Sequence, residues 1–152
     1  MAETSLAKQE TKAKEYLREV RRAQRALILA QAENAEQRKA IDGVRAMQYD
    51  KDGGHSALTH GDDAIMQTLE RLNKLERKVH KRMDEYAEVL EDWQAIGATM
   101  DGYMFELLNA HYIEGEDWQS IADRLCMSKR TVLRERVFAL SDLYNVLPPA
   151  WK

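Results

Sequence analysis

The side chains best suited to bind a ligand in this chain are cationic, and they lie together between residues 128 and 136. Lys129, Arg130, Arg134 and Arg136 are accompanied there by one acidic residue, Glu135. An Arg side chain can donate two parallel hydrogen bonds to O6 and N7 of guanine, and both Lys and Arg attract phosphates. The cluster therefore has the chemistry of a nucleic-acid contact, provided that one element presents it on a single face.

The stretch around this cluster has the spacing of a helix-turn-helix motif. Such a motif needs a small residue where its two helices cross, which Ala122 supplies, and an apolar anchor ten residues later, which Val132 supplies. Ile121 and Leu125 are expected to fill the core between the helices. The candidate N-caps of the two helices are Asp117 and Ser128.

With Val132 facing the core, a rotation of about 100° per residue decides which positions of the second helix face outward. Ala139, Leu140 and Leu143 fall on the inner side with Val132. The outward positions and the helix start form the predicted DNA-binding site. The predicted base-reading residues are Arg130, Thr131 and Arg134, and the predicted phosphate contacts are Gln119, Ser128 and Lys129.

Two positions depart from the usual motif. Cys126 stands at the turn position that usually holds Gly, so the turn must either place Cys in a left-handed conformation or avoid one. Glu135 stands where an apolar residue is common, so the core contact is expected to move to Leu133 and Val137. Two packed helices without DNA contact remain the alternative interpretation.

The rest of the chain must position this motif, and its periodicity predicts two long helices. Residues 4–47 contain no Pro and no Gly before Gly43, and apolar residues recur there every seven positions. A Gly-containing turn is predicted at about residues 49–62, followed by a second and stronger heptad pattern up to Met100. The two stripes contain Leu6, Ala13, Val20, Leu27, Asn34 and Ile41, and Ile65, Leu72, Val79, Tyr86, Trp93 and Met100.

Two long helices joined by a turn predict an antiparallel coiled-coil hairpin. Residues 8–25 are rich in basic side chains and residues 83–92 in acidic ones, which favours an antiparallel pairing of the two stretches. Solvated faces are the alternative, and Arg18, Arg21, Arg22 and Arg25 could instead contact DNA phosphates. A hairpin has a thin core, so it is expected to pack on the C-terminal helices or on another copy.

The predicted fold is therefore all-α. Residues 1–97 form the long helical hairpin, and residues 98–152 form a three-helix module that contains the helix-turn-helix. Its helices are predicted at residues 102–113, 117–125 and 128–145, with Asp101 as a candidate N-cap for the first. Pro148 and Pro149 end the last helix.

Composition narrows the classes of function. The net charge is −3, but residues 117–152 carry +2 while residues 49–116 carry −8, so the positive charge is local. A single Cys, no run of 18 apolar residues and no leader-like N-terminus predict a cytoplasmic protein without membrane contact.

No catalytic motif, metal site or cofactor site is predicted. Phosphate-binding glycine loops and nucleophile elbows are lacking, so the chain is not expected to be an enzyme. His55, His60, Asp62 and Asp63 cluster in the predicted turn, but a Gly-rich turn organises metal ligands poorly.

Residues 107–143, LLNAHYIEGEDWQSIADRLCMSKRTVLRERVFALSDL, resemble region 4 of bacterial sigma factors. In the order of its parts, the whole chain resembles phage transcriptional regulators of the RinA/ArpU type. That resemblance implies a phage or prophage activator of late genes that binds double-stranded DNA, with a recognition helix beginning at Ser128. RNA polymerase and a second copy, held through the hairpin, are the other partners expected. The alternatives are a helical scaffold or adaptor for proteins and a DNA-packaging adaptor similar to small terminase subunits.

Overall fold

The computed structural model describes residues 2–49 and 58–152, with side chains for residues 5–43 and 63–152. Every regular element in these ranges is helical, which confirms the predicted all-α class. Two long helices, α1 (Ala2–Tyr49) and α2 (Leu58–Thr99), precede three shorter ones, α3 (Gly102–Leu108), α4 (Trp118–Arg124) and α5 (Lys129–Val146). A π-helical turn (Asn109–Ile113) extends α3, and a 3₁₀ turn (Pro149–Trp151) follows α5.

The long helices begin and end near their predicted limits. The helix predicted over residues 4–47 is α1, whose interior consists largely of good helix formers. The predicted turn at 49–62 is shorter than expected, because α2 already begins at Leu58 and includes Gly61. One Gly costs a helix roughly 1 kcal/mol, which a helix of 42 residues tolerates. The remainder of that turn, residues 50–57, lies outside the described residues.

The chain divides into two compact units. The terminal unit contains residues 1–23 and 87–152, and the middle unit contains residues 24–86. This division differs from the predicted boundary after residue 97, because the first half of α1 and the end of α2 share a core with the short helices. Helical periodicity identifies the apolar face of each long helix, but it does not identify the element that covers that face.

Trp93 lies at the centre of the terminal unit and is fully buried. Its indole Nε1 donates a hydrogen bond of 3.0 Å to Asn109 Oδ1, and its ring centroid lies 4.7 Å from that of Phe105. Gly97 permits this packing, since a Cβ there would lie 2.4 Å from the Phe105 ring. The other buried residues include Ala13, Leu17 and Val20 of α1 and Leu108, Ile121, Val132 and Leu140 of the short helices.

Within the terminal unit, Tyr16 of α1 packs against the 3₁₀ turn that follows α5. Its ring meets Trp151 edge-on at a centroid distance of 5.3 Å, so the 3₁₀ turn after α5 packs against α1. Burial and the nearby Asp92 raise the pKa of the Tyr16 phenol to about 12. The phenol has no hydrogen-bond partner, so Tyr16 contributes through packing.

In the middle unit, α1 and α2 run antiparallel, as predicted. Arg38 pairs with Glu76 and Glu33 pairs with Lys78, each at 2.7 Å, so rising numbers in α1 meet falling numbers in α2. Ala30 is its only fully buried apolar residue among the side chains described.

The predicted pairing of basic and acidic stretches is not formed by direct ion pairs within the terminal unit. Among its described residues, the charged side chains of α1 pair instead within their own helix, in the pairs Lys12–Glu15, Lys14–Glu10 and Arg22–Glu19, apart from a longer contact of 3.9 Å between Glu10 and Arg136 of α5. Neighbouring helical turns bring such partners together without any contribution from a second helix.

Candidate nucleic-acid interface

The turn between α4 and α5 is a Schellman motif with Cys where Gly is usual. The Met127 N–H donates to the Ala122 carbonyl at 2.9 Å, and the Cys126 N–H donates to the Asp123 carbonyl at 3.2 Å. Cys126 has a φ of 54°, in the left-handed region that favours Gly. The sequence therefore located the turn correctly, and Cys126 adopts the conformation that its position requires.

The inward faces of α4 and α5 are as predicted. Ala122 and Ile121 on α4 and Val132 on α5 are fully buried, and Leu125 is partly buried against the same core. The predicted inner residues Ala139, Leu140 and Leu143 are also fully buried. This burial determines the rotation of α5 about its axis, and so determines which side chains face outward.

Only one of the two predicted caps is formed. Ser128 Oγ accepts a hydrogen bond of 3.1 Å from the Thr131 N–H, so Ser128 caps α5. Asp117 occupies the N-cap position of α4, but its side chain makes no capping hydrogen bond. The Asp117 carboxylate is exposed, so water can solvate it in place of the helix N–H groups. A capping role for the Asp117 side chain is therefore wrong.

The predicted reading residues lie on the outer face of α5, with one difference among them. Arg130 and Arg134 are exposed, whereas Thr131 is half-buried. The Thr131 hydroxyl lies 2.8 Å from Ser128 Oγ and is engaged in the cap. Thr131 consequently offers its methyl group to a ligand more readily than its hydroxyl.

The cations at the start of α5 have no anionic partner within the described part of the protein. Lys129, Arg130 and Arg134 are exposed, and none of them has a carboxylate within ion-pair distance there. Arg124 of α4, by contrast, pairs with Glu116 at 3.0 Å and with Glu106 at 3.3 Å. The first half of α5 thus carries positive charge that a ligand can use.

The remaining predicted phosphate contacts lie on both sides of the turn. Ser128 and Lys129 begin α5 and are exposed, while Gln119 is exposed in the first turn of α4. The Gln119 amide donates a hydrogen bond of 3.0 Å to Asp123 Oδ1. A phosphate at Gln119 would have to compete with that carboxylate, which makes Gln119 the weakest of the three contacts.

The second half of α5 packs against the first turns of α1, which bears on two predictions. Arg136 lies 3.9 Å from Glu10, and Val137 and Ser141 line a groove of about 250 Å³ with residues of α1. Leu133 is partly buried, as expected, but Val137 is 44% exposed, so a core role for Val137 is wrong. Leu6, predicted on the apolar stripe of α1, is 54% exposed because it lines this open groove.

A cluster around Trp118, which the sequence did not reveal, holds the start of α4. The ring of His111 stacks on Trp118 at a centroid distance of 3.8 Å, and His111 Nδ1 lies 2.8 Å from the Glu116 carbonyl. The guanidinium of Arg136 lies 5.8 Å from the Trp118 ring centroid. Burial lowers the pKa of His111, and the positive charges of Arg136 and Arg21 act in the same direction. Arg136 is therefore a supporting residue and not part of the outward face.

The described residues contain neither a metal-binding cluster nor a membrane-spanning helix. No group of three His, Cys, Asp or Glu side chains in those ranges is arranged to hold a metal ion. His55 and the side chains of His60 and Asp62, which belong to the cluster in the predicted turn, lie outside the description. No helix in the described part of the chain is both long enough and apolar enough to cross a membrane.

Comparison of the chain with family models, with curated proteins and with solved structures gave no match.

Proposed function

We propose that this protein is a sequence-specific DNA-binding regulator of transcription that inserts the first half of α5 into the major groove. Arg130, Thr131 and Arg134 read base edges in this proposal, and Gln119, Ser128 and Lys129 contact phosphates. The observation that carries it is the unpaired positive charge of α5 on a helix whose opposite face is fully buried.

The shape of the motif suits that mode of binding. An α-helix with its side chains is about 10–12 Å wide, and the major groove of B-DNA is about 12 Å wide. The contacts that α5 makes with the first turns of α1 come from Arg136, Val137 and Ser141, beyond the first half of the helix. Residues 129–134 therefore lie on the part of α5 that a groove can receive.

The proposed contact residues are expected to contribute differently to DNA binding. Arg130 and Arg134 can each donate paired hydrogen bonds to a guanine, whereas Thr131 can contribute a methyl contact to a thymine. Ser128 presents the N-terminus of an 18-residue helix, whose free N–H groups and dipole attract a phosphate. Binding relies on this patch because the chain as a whole carries a net charge of −3.

The biological role within this proposal comes from the resemblance to RinA/ArpU-type regulators. On that basis the protein activates late genes of a phage or prophage in the bacterial cytoplasm, with RNA polymerase as a partner. It acts as a homo-oligomer through the hairpin formed by α1 and α2.

A second candidate is a scaffold or adaptor that binds another protein, including a DNA-packaging adaptor. The observation in its favour is the open groove between α1 and α5, where the apolar side chains of Leu6 and Val137 are 54% and 44% exposed. Leu6 lies on α1 and Val137 lies in the second half of α5, so substitutions there can be compared with those of Arg130 and Arg134 to separate the two functions.

The test begins with selection of a preferred duplex from a randomised DNA library, followed by anisotropy titrations across a salt series. Arg130→Ala and Arg134→Ala are each expected to weaken specific binding by about 1–3 kcal/mol and to relax the preference at one base position. Lys129→Ala is expected to weaken binding to all sequences similarly and to reduce the salt slope by about 1.

Arg71→Ala is the matched control, since it removes the same charge from an exposed position of α2. If it weakens binding as much as Arg130→Ala does, the effect is one of net charge and the reading face is wrong. Arg22→Ala separately tests the alternative phosphate contact on α1. Failure to select any preferred duplex would favour the scaffold.

A further inference from the structure

We infer that the middle unit binds a second copy of itself face to face, to form a four-helix bundle whose twofold axis runs parallel to the helices. This inference deepens the oligomerisation part of the proposed function and rests on that part alone. The hairpin buries few apolar side chains completely: Ala30 is the one fully buried apolar residue among the middle-unit side chains that the structure describes, whereas stripe residues such as Leu72 and Val79 are only half-buried.

One face of the hairpin can be identified from an ion pair. Glu76 follows the stripe residue Leu72 by four positions, and Arg38 follows Asn34 by four. Because Arg38 and Glu76 are 2.7 Å apart, the positions four residues after each stripe lie on the same face of the hairpin. We call this the front face. The Glu33–Lys78 pair joins positions one residue before each stripe, and so marks the opposite face.

The large exposed apolar residues of the front face form two groups. Leu69 and Met83 also lie four residues after a stripe position, and Met66 and Ile28 lie one residue after a stripe position, on the same side. These side chains are 37%, 45%, 58% and 55% exposed, in that order. Residues of this type and exposure at heptad spacing are typical of a helix face that packs on a partner.

The two groups lie on opposite sides of the Arg38–Glu76 pair. Leu69 and Met66 precede Glu76 by seven and ten residues, and Met83 follows it by seven. Ile28 precedes Arg38 by ten residues, and because α1 runs antiparallel to α2 it lies at the same end as Met83. The front face is therefore ordered as an apolar layer, a charged layer and a second apolar layer.

This order favours one arrangement of two copies. A twofold axis parallel to the helices places α1 over the partner's α2, so each layer meets its own copy and Arg38 lies next to the partner's Glu76. All neighbouring helices are then antiparallel. An axis perpendicular to the helices would instead pack Met83 on Leu69 of the partner, but it would place Glu76 against Glu76 and Arg38 against Arg38. Repulsion between those like charges disfavours the second arrangement.

The first test is the mass of the full chain, measured by light scattering at micromolar concentration without DNA. We expect twice the chain mass of 17.6 kDa. Leu69→Lys or Met83→Lys should raise the dimer dissociation constant at least tenfold, because each places an unpaired ammonium in an apolar layer. Leu29→Lys is the matched control, since Leu29 lies two residues after the stripe, on the outer side of α1, and is already 69% exposed. A monomeric wild type, or equal effects of Leu29→Lys and Met83→Lys, would overturn the inference.

The charged layer allows a second test with its own control. Glu76→Arg should dissociate the dimer, and the double substitution Arg38→Glu with Glu76→Arg should restore it. Lys78→Glu breaks the equivalent ion pair of the opposite face and should leave the mass unchanged. If Lys78→Glu dissociates the dimer as readily as Glu76→Arg does, the interface is not the front face.

Cross-linking distinguishes a twofold axis parallel to the helices from one perpendicular to them. In a background in which Cys126 is replaced by Gly, a mixture of Ile28→Cys and Met83→Cys chains should form a covalent heterodimer with a short bismaleimide. A mixture of Leu69→Cys and Met83→Cys chains should not, because the two positions are then about 20 Å apart along the helix axes. The reverse result would establish the perpendicular axis and overturn the proposed one. None of these measurements involves DNA, so their failure would leave the role of α5 untouched, and loss of binding by Arg130→Ala would leave the dimer untouched.

Discussion

Cys126 is the one residue other than Gly with a positive φ in the described part of the chain. Its φ of 54° places the Cβ near a carbonyl, at a cost of roughly 1–2 kcal/mol for a residue other than Gly. The Schellman hydrogen bonds of Met127 and Cys126 maintain the conformation because the turn must redirect the chain from α4 into α5.

We therefore expect Cys126→Gly to raise the free energy of unfolding by up to about 1 kcal/mol, part of the gain being offset by the greater freedom of Gly in the unfolded chain. Cys126→Val should lower it by roughly 1–3 kcal/mol, since a β-branched side chain fits this conformation poorly. Urea denaturation of the three proteins measures both. A Val variant as stable as the Gly variant would show that the turn relaxes at no cost.

The outward positions on α5 were predictable at this scale, whereas their surroundings were not. A regular helix fixes the angle between residues, so Arg130 and Arg134 followed once Val132 was placed inward. The pairing of Arg124 with Glu106 and Glu116 joins residues 18 and 8 positions apart, and no helical period relates them. The sequence does not reveal this pairing. It therefore could not show that Arg124 is paired with carboxylates whereas Arg130 and Arg134 are not.

At the scale of elements, the π-helical turn after α3 has a consequence for pH dependence. It carries His111, which stacks on Trp118 and hydrogen-bonds to the Glu116 carbonyl at the start of α4. Burial is the main cause that lowers the His111 pKa, Arg136 and Arg21 lower it further, and the Glu116 hydrogen bond and Asp117 oppose the shift. The folded state therefore favours the neutral ring.

The unfolded chain binds a proton at His111 more readily than the folded chain, so protonation favours unfolding. The contribution of His111 to stability is present above its unfolded pKa of about 6.5 and is lost as the pH falls through the lower folded pKa. We expect wild-type stability to fall between pH 7 and pH 5 and the fall to be smaller in His111→Gln, as measured by urea denaturation. His80→Gln, at an exposed position of α2, is the matched control for the loss of one imidazole. If the free energy of unfolding depends on pH in the same way in wild type and in His111→Gln, His111 is not the cause of the pH dependence.

The limits of the helices were mostly predictable, because heptads, Pro residues and short polar caps are local signals. Asp101 caps α3 as expected, accepting hydrogen bonds from the N–H groups of Tyr103 and Met104. The π-helical turn was not predictable, since it arises where Asn109 meets Trp93 across the core. The missing cap of Asp117 has the same origin, in that solvent exposure of a carboxylate depends on tertiary structure.

At the scale of the whole molecule, the helix-turn-helix shares its hydrophobic core with the two long helices. Its core cluster includes Ala13, Leu17 and Val20 of α1 and Trp93 of α2, all fully buried. Replacing even one buried Leu by Ala costs about 2–5 kcal/mol, and a domain is stable by only about 5–15 kcal/mol. Removing α1 removes several such side chains at once.

We expect a fragment of residues 98–152 to lack cooperative unfolding and dispersed amide resonances. Addition of a peptide of residues 1–23 to a longer fragment, residues 87–152, should restore at least part of both. Circular dichroism melting and two-dimensional NMR provide the measurements. If the fragment of residues 98–152 melts like the intact chain, these residues fold as a separate domain, as the sequence predicts.

That shared core also imposes an order on folding. Residues 1–23 leave the ribosome before their partners at residues 87–152, which follow only after the whole middle unit has been synthesised. Contacts between segments so distant in sequence close late, because the entropy lost in joining them must be overcome before they stabilise the fold. The hairpin of the middle unit brings the two segments together, so a weak hairpin should slow formation of the terminal unit. The side chains of Leu17 and Val20 would then remain exposed in the nascent chain, where they favour aggregation.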